Sequence, residues 1–262
     1  MTDFRALHVP GTPLILVNAW DAASARIVEA AGAAAIATTS GGVAWSLGLP
    51  DGDALGRDLA VEVARRIVAA VRVPVTVDIE SGFGATPAEV AETVRGVVDA
   101  GVAGMNLEDG WIGGAAPLRP VADQVARLAA ARKAAGDAFL NARVDTLLRG
   151  AGDVAETIAR GRAYLEAGAD GVFVPGTVDP AVIGELVAGI PGPVNVLTGP
   201  GAPTLPELAK LGVARISFGV AVATAAYSVV DRAAREAFGN GTYTALQGDL
   251  DYGRLNALSN PQ

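Results

Sequence analysis

The chain has no cysteine among its 262 residues. That absence excludes disulfides, thiolate metal ligands, and a thiol acting as nucleophile or acid. Histidine is nearly absent as well: His8 precedes the first apolar run, so imidazole general-base chemistry is not expected and His8 reads as a surface residue remote from any site. Basic residues are the minority, 20 Lys and Arg against 28 Asp and Glu, for a formal net charge of -8. With no basic run to neutralise phosphates, nucleic acid and acidic membrane surfaces are excluded as partners. No apolar run reaches the roughly 18 residues that a membrane span requires. The N-terminal Met-Thr-Asp-Phe-Arg-Ala-Leu-His shows no basic segment followed by an apolar stretch. A cytoplasmic protein with a small-molecule ligand is the expectation.

What the chain does have is apolar content, 51%, enough for one large core without a second domain. Short β-type runs alternate with longer Ala-rich segments of helical period. The runs are Leu14 to Val17, Ala34 to Thr38, Pro74 to Asp78, Ala103 to Leu107, Ala138 to Arg143, Gly171 to Val174, Pro193 to Leu197 and Ala214 to Phe218. Helical periodicity covers Ala22 to Ala31, Asp58 to Val71, Pro87 to Ala100, Val121 to Ala135, Asp153 to Ala167 and Val220 to Phe238. Thr86 before Pro87, with Glu89 beyond, has the pattern of an N-cap and a first-turn proline. Gly32, Gly101, Gly168 and Gly212 each end a helical run just ahead of a strand, which suits a left-handed cap.

Eight such units predict a TIM (β/α)8 barrel occupying residues 1–262 as a single domain. A doubly wound open sheet competes. It would normally show a Gly-rich phosphate turn after its first strand, and Val17-Asn18-Ala19-Trp20-Asp21 is not one. Ser40 to Arg57 reads as a long, glycine-rich loop, functional or disordered, on the catalytic face. Residues 239–262 form a C-terminal extension of weak periodicity, expected as a helical segment that either covers or is exchanged with a neighbouring subunit, or frays.

In a barrel the carboxyl ends of the strands converge on one mouth. The polar residues there are Asn18, Asp21, Ser40, Gly41, Gly42, Asp51, Asp78, Glu80, Glu108, Asp109, Asn141, Arg143, Asn195, Thr198 and Ser217. Asp78 and Glu80 stand two apart on an extended segment, so both are expected on one side, with Glu108 approaching from the next strand. Acids crowded where buried strands stop repel one another and lose hydration, so the set calls for a cation or raised pKa values. An all-oxygen set suits a hard ion such as Mg²⁺, with Mn²⁺ as a substitute. The competing reading makes these acids helix caps or partners for Arg57, Arg119 or Arg143. Arg143 is placed to clamp a substrate carboxylate, or to pair with Asp145 or Glu108. Ser40-Gly41-Gly42 offers backbone amides for an anion nest. Trp20, Trp45 and Trp111 either wall the pocket or fill gaps in the core.

Taken in order, Asn-Ala-Trp-Asp-Ala-Ala-Ser-Ala at 18–25, Ser-Gly-Gly at 40–42, Gly-Leu-Pro-Asp at 48–51, Asp-Ile-Glu-Ser-Gly-Phe-Gly at 78–84, Asn-Leu-Glu-Asp-Gly at 106–110 and Asn-Ala-Arg-Val-Asp at 141–145 resemble the isocitrate lyase and phosphoenolpyruvate mutase superfamily. The resemblance implies a Mg²⁺-dependent barrel that makes or breaks carbon-carbon or carbon-phosphorus bonds in 2-oxo acids through an enolate. It implies that Asp78, Glu80 and Glu108 hold the ion directly or through water, with Asp51 beside them. It implies that Ser40, Gly41 and Gly42 bind the substrate carboxylate opposite Arg143 and that the chain forms a homotetramer or dimer; by their positions at the mouth, Trp20 and Asn195 are expected to contribute to substrate binding.

Two departures narrow it. The isocitrate and methylisocitrate lyases are similar to one another in a Lys-Lys/Arg-Cys-Gly-His segment; here Trp-Ile-Gly-Gly-Ala-Ala-Pro-Leu-Arg-Pro at 111–120 supplies neither thiol nor imidazole. The phosphomutases share an Asn in that loop and a His after the sixth strand, and here Pro175-Gly176 follows Phe173-Val174. The expected activity is therefore a metal-dependent lyase for a small 2-oxo or 2-hydroxy acid of oxaloacetate type. Carbon-phosphorus chemistry and a non-catalytic 2-oxo acid binding protein are the alternatives.

Overall fold

The alternating pattern closes on itself in the computed structural model, which describes residues 3–259. Nine short strands are all parallel: β1 (Leu14–Leu16), β2 (Asn18–Ala19), β3 (Ile36–Thr38), β4 (Val75–Asp78), β5 (Gly104–Glu108), β6 (Phe139–Arg143), β7 (Gly171–Val174), β8 (Val194–Leu197) and β9 (Arg215–Ser217). The helices are α1 (Ala22–Ala30), α2 (Ser40–Ser46), α3 (Arg57–Ala70), α4 (Pro87–Asp99), α5 (Val121–Ala135), α6 (Val154–Glu166), α7 (Pro180–Gly189), α8 (Leu205–Lys210), α9 (Ala221–Gly239) and α10 (Tyr252–Ser259). None among the described residues is long and apolar enough to cross a membrane.

Hydrogen bonding runs β1-β9-β8-β7-β6-β5-β4-β3-β2. Only Val17 separates β1, which pairs with β9, from β2, which pairs with β3, so the two form one broken stave and the barrel has eight. This is the expected TIM barrel. The helix boundaries follow from local chemistry. Thr86 and Glu89 form a reciprocal capping box with Pro87 in the first turn. Gly32, Gly101, Gly168 and Gly212 stand just past helix ends at φ between +86° and +104°, where a side chain would be strained. Between strands and helices, Leu107, Leu128, Leu140, Met105, Ile67 and Val90 lose all contact with water, and each contributes about 1.5–3 kcal/mol of burial energy.

Register carries the acids to neighbouring positions. Asp78 lies opposite Asn106 on β5, and Glu108 lies opposite Arg143 on β6. Thus β4, β5 and β6 deliver their polar termini to one quadrant of the mouth.

Two features depart from the pattern read in the sequence, and a third, the C-terminal helical segment, follows it. Ser40 to Ser46 is a helix, not the start of a loop. The glycines that made it look irregular are required by close packing: a Cβ on Gly42 would lie 2.9 Å from Trp20 Cβ, and one on Gly41 would lie 2.8 Å from a Val220 methyl. The extension beyond Gly239 contains a 3₁₀ turn at Thr244–Leu246 and then α10, with its last three residues outside the described ones. Finally, His8 is buried. Its ring stacks on Phe139 with centroids 3.9 Å apart, Phe4 meets it edge-on, and its Nδ1 lies 3.0 Å from the Phe4 carbonyl. An imidazole whose charge is unneeded packs as an aromatic plug at the amino-terminal end of the barrel.

Burial and the positive charge of Arg215 push the His8 pKa down from 6.5 to about 4. The folded state thus refuses a proton that the unfolded chain accepts, so this contribution to stability is present above 6.5 and is lost as the pH falls toward about 4. Denaturant melts at about pH 7 and about pH 5 are expected to show a stability loss that shrinks in His8→Phe. An equal loss in both proteins would place the pH sensitivity elsewhere.

Candidate active site

The mouth is organised around Arg143, at the end of β6. Its Nη1 lies 2.7 Å from Glu108 Oε2 and 3.8 Å from Asp78 Oδ2. Its Nε and Nη2 donate to the two oxygens of Asp145, at 2.6 and 3.2 Å. Burial opposes the charge on Arg143, but Glu108, Asp145 and Asp78 outweigh that and raise its pKa. In the same way, burial raises the pKa of Asp78 and Glu108, against the pull of Arg143. Two buried acids therefore share one guanidinium.

Glu80 does not join them on a common face. Strand β4 stops at Asp78, and Glu80 adopts φ +50°, so the two-residue alternation of a strand no longer applies. Its Oε2 accepts from the backbone amides of Gly52, at 3.0 Å, and Asp53. Asp53 returns the contact by accepting from the amide of Ser81 at 3.1 Å and from the Ser81 hydroxyl. Loop 51–53 and turn 80–81 thereby lock each other. Glu80 thus lies off the strand face expected of it, and among the described residues no three acidic, Cys or His side chains already converge as a ligand set.

The donors nevertheless fit a hard divalent ion. Glu80 Oε1 is buried without a partner, and burial drives the Glu80 pKa up to about 8. Asp78 and Glu108 present carboxylate oxygens short of positive charge, and Asp51 stands close enough to raise the pKa of both Asp78 and Glu80. An all-oxygen environment with excess negative charge is what Mg²⁺ selects.

The remaining expected residues divide. Asp51 is at the rim, with Oδ2 3.3 Å from where a Gly41 Cβ would stand. Ser40, Gly41 and Gly42 form the first turn of α2, where amides lack intrahelical acceptors. Trp20 packs beside Gly42 and faces Tyr227 at 6.4 Å between centroids, so it walls this side. Trp45 leans on the same Tyr227, and Trp111 carries the Arg119 guanidinium 5.5 Å above its ring. Asp21 caps α1.

Asn195 is not at the mouth. Inside the barrel its amide donates to the carbonyls of Val196 and Arg215 and to Ser217 Oγ, and its Oδ1 accepts from Asn141. All its hydrogen-bonding capacity is used there, so its expected contact with substrate is withdrawn. The same interior layer holds Asn106 and the fully buried Arg215.

Sequence reasoning missed Arg149, four residues beyond Asp145. Its Nε donates to Asp145 Oδ2 at 3.1 Å. It also missed the support behind Asp145, whose amide donates to buried Asp109 at 2.9 Å; Asp109 in turn accepts from the Tyr164 hydroxyl at 2.8 Å and from Arg160. The signal was available in Arg-Val-Asp-Thr-Leu-Leu-Arg, where acids and bases alternate around a turn.

Glu80 supplies a test. Its folded pKa of about 8 lies above 4.5, so its contribution to metal-free stability is present below 4.5 and is lost as the pH rises through about 8. Asp78 and Glu108 shift in the same direction. Glu80→Gln keeps an acceptor for the Gly52 and Asp53 amides and is expected to lessen the decline in melting temperature across that window, measured in chelator. An unchanged slope would mean that Glu80 is ionised throughout.

Residues 4–238 match the sequence profile of the phosphoenolpyruvate phosphomutase family. The chain is 41% identical over 234 residues to the uncharacterized protein Rv1998c of Mycobacterium tuberculosis, covering 89% of this chain and 88% of that one. It is 34% identical over 201 residues to 2-methylisocitrate lyase of Escherichia coli K12, covering 73% and 67%. Among solved structures, a candidate phosphonomutase from Burkholderia cenocepacia J2315 is 48% identical, with a TM-score of 0.85 over 88% of this chain and 97% of that one. Phosphonopyruvate hydrolase in complex with oxalate and Mg²⁺ is 26% identical, with a TM-score of 0.85 over 98% and 93%. Oxaloacetate acetylhydrolase in complex with oxalate is 25% identical, with a TM-score of 0.87 over 98% and 92%. On the strength of that profile and of a barrel whose β4, β5 and β6 end in Asp78, Glu108 and Arg143, the chain belongs to the phosphoenolpyruvate phosphomutase family, within the isocitrate lyase and phosphoenolpyruvate mutase superfamily.

Proposed function

We propose that the chain is a Mg²⁺-dependent lyase that cleaves a carbon-carbon bond in, or decarboxylates, a small 2-oxo or 2-hydroxy diacid of oxaloacetate type. The carrying observation is the pair of buried acids, Asp78 and Glu108, that share one guanidinium at the barrel mouth. Asp78, Glu108 and Glu80 are the residues that would hold the ion. When bound, Mg²⁺ supplies positive charge that favours a developing enolate.

The rest is the work of this chain. Arg143, fixed by Asp145, presents its guanidinium edge to a substrate carboxylate. The first-turn amides of α2 meet that carboxylate from the other side, and Trp20 keeps water from the reacting carbons. Asp51 is positioned by the lock between Glu80 and the amides that follow it. In decarboxylation the bond to the distal carboxyl carbon breaks, CO₂ leaves, and its electron pair enters the enolate. A proton from water then completes the product. Because the leaving group takes no proton, a loop without thiol or imidazole is sufficient.

Carbon-phosphorus chemistry is the second reading, favoured by the family profile and by the 48% identity to a candidate phosphonomutase. Phosphorus NMR of an incubation with phosphonopyruvate separates the two. A homo-oligomer, dimer or tetramer, is favoured by exposed apolar side chains on α9 and beyond, with Phe238 92% and Tyr252 82% exposed. Light scattering is expected to show more than one chain per particle.

Asp78→Asn is expected to lower Mg²⁺-dependent turnover of oxaloacetate by about a hundredfold or more. In chelator its melting temperature should hold or rise, since one of several repelling acids is gone. Metal-independent turnover by the unmodified protein would remove the mechanism. A large drop in melting temperature would assign Asp78 a purely structural ion pair.

A further inference from the structure

Arg149 is a cation at the mouth that the chemistry above leaves unused. It stands in the turn after β6, and its Nε is spent on Asp145 Oδ2 at 3.1 Å. Its Nη2 comes only within 3.5 Å of Glu108 Oε1, beyond a good hydrogen bond. Its terminal amino groups therefore keep donors without a hydrogen-bonded partner among the described residues.

Its position is built into the backbone. A Cβ on Gly110, after β5, would lie 2.8 Å from Arg149 Cζ. A Cβ on Gly176, after β7, would lie 2.8 Å from the Leu147 carbonyl carbon. Two glycines on adjacent loops thus clear the space that the turn occupies.

Arg143 and Arg149 also bracket the same two carboxylates. Arg143 takes Asp145 Oδ1 and Glu108 Oε2, while Arg149 takes Asp145 Oδ2 and faces Glu108 Oε1. Of the other guanidiniums on this side, Arg160 is occupied by Asp109 and Glu156, and Arg119, beside Asp123 and over the face of Trp111, is largely buried with its Nε unpartnered and out of reach of solvent. The neighbouring segment 111–117 carries no charged side chain. Arg149, with its side chain 26% exposed, is the reachable cation with free donors.

We propose that Arg149 determines specificity by receiving the distal carboxylate of a dianionic 2-oxo acid whose first carboxylate is held by Arg143. The inference rests on the lyase reading in its carbon-carbon cleavage form, where the distal carboxylate departs with its fragment and is not itself lost as CO₂, and it deepens that reading. A monoacid leaves the Arg149 fork unmatched, whereas a diacid of short chain satisfies both forks at once. Discrimination of this kind, in which polar groups of the site are left unpaired by the wrong ligand, is stronger than shape alone provides.

The test uses the full chain with Mg²⁺ and two calorimetric probes. Oxalate stands in for the 2-oxo carboxylate end alone and carries nothing beyond it. The other probe, 3,3-difluorooxaloacetate, adds a distal carboxylate. In Arg149→Ala, oxalate affinity is expected to stay within about threefold, and affinity for the difluoro diacid to fall by about tenfold or more, as expected for a lost hydrogen bond between charged groups. Arg149→Lys should recover part of the loss. Equal losses for both probes would overturn the proposal, since Arg149 would then act only by supporting Glu108 and Asp145. No loss for either would overturn it too, as would an unmodified protein that binds oxalate but not the diacid. An unmodified protein that binds neither probe would instead refute the lyase reading, and the Arg149 assignment with it.

Discussion

The constraint on which this site depends is the cost of burying carboxylates where parallel strands end. Asp78 and Glu108 lie at the termini of adjacent staves, largely out of water, and a charge so placed is tolerated only beside a partner. Arg143 is that partner. It is not free to drift, because Asp145 holds two of its nitrogens, and Asp145 is tied through its amide to Asp109. Asp109 is gripped in turn by Tyr164 and Arg160 of α6. A helix on the outside of the barrel therefore fixes the orientation of a guanidinium at its mouth, and removing any link would leave buried charge without compensation.

The rim is held by the same kind of economy. Glu80 and Asp53 each use a carboxylate to tie down backbone amides of the other's segment, and both adopt left-handed backbone angles unusual for residues with side chains, φ +50° and +58°. Phe83 does the same at +49°. Strain of this sort persists where surrounding contacts over-determine it. Here Arg127, fully buried in α5, donates to the carbonyls of Ser81, Gly84 and Ala85 and clamps the turn from below. Loop 110–118 is closed at its base by the Gly110 and Leu118 bridge and by the Trp111 amide on the Pro117 carbonyl.

The barrel was legible because burial on both faces makes parallel strands short and apolar, and because glycine caps punctuate the helices. Its eight units could be counted. What escaped reading were places where tertiary packing overrides a local rule. Ser40 to Ser46 looked like a loop because its glycines suit a turn, whereas they serve the approach of Trp20 and Val220. Glu80 obeyed strand alternation in sequence but lies past the strand's end. Asn195 looked like a mouth residue because polar side chains in strands are rare, yet it belongs to an interior polar layer with Asn106, Asn141 and Arg215. His8 looked expendable and proved to be part of the plug beneath that layer. The acids themselves and Arg143 were legible, since little else explains charge at the end of an apolar run.

Charge balance and the composition of loop 110–117 constrain the chemistry together. Its residues, Gly-Trp-Ile-Gly-Gly-Ala-Ala-Pro, include no group able to donate or remove a proton near neutral pH. A reaction whose leaving group must be protonated by an enclosing loop is therefore poorly served. Loss of CO₂ asks only that negative charge on an enolate be stabilised and that a carboxylate be held still, whereas cleavage to a fragment that departs as a carbonyl also needs a base for the hydroxyl proton. In the proposed mechanism those two functions fall to Arg143 and to an acidic oxygen set suited to a hard ion. On the proposed assignment, the terminal donors of Arg149 that have no hydrogen-bonded partner among the described residues give the second anionic end of a short diacid its own cation, while Arg143 meets the first.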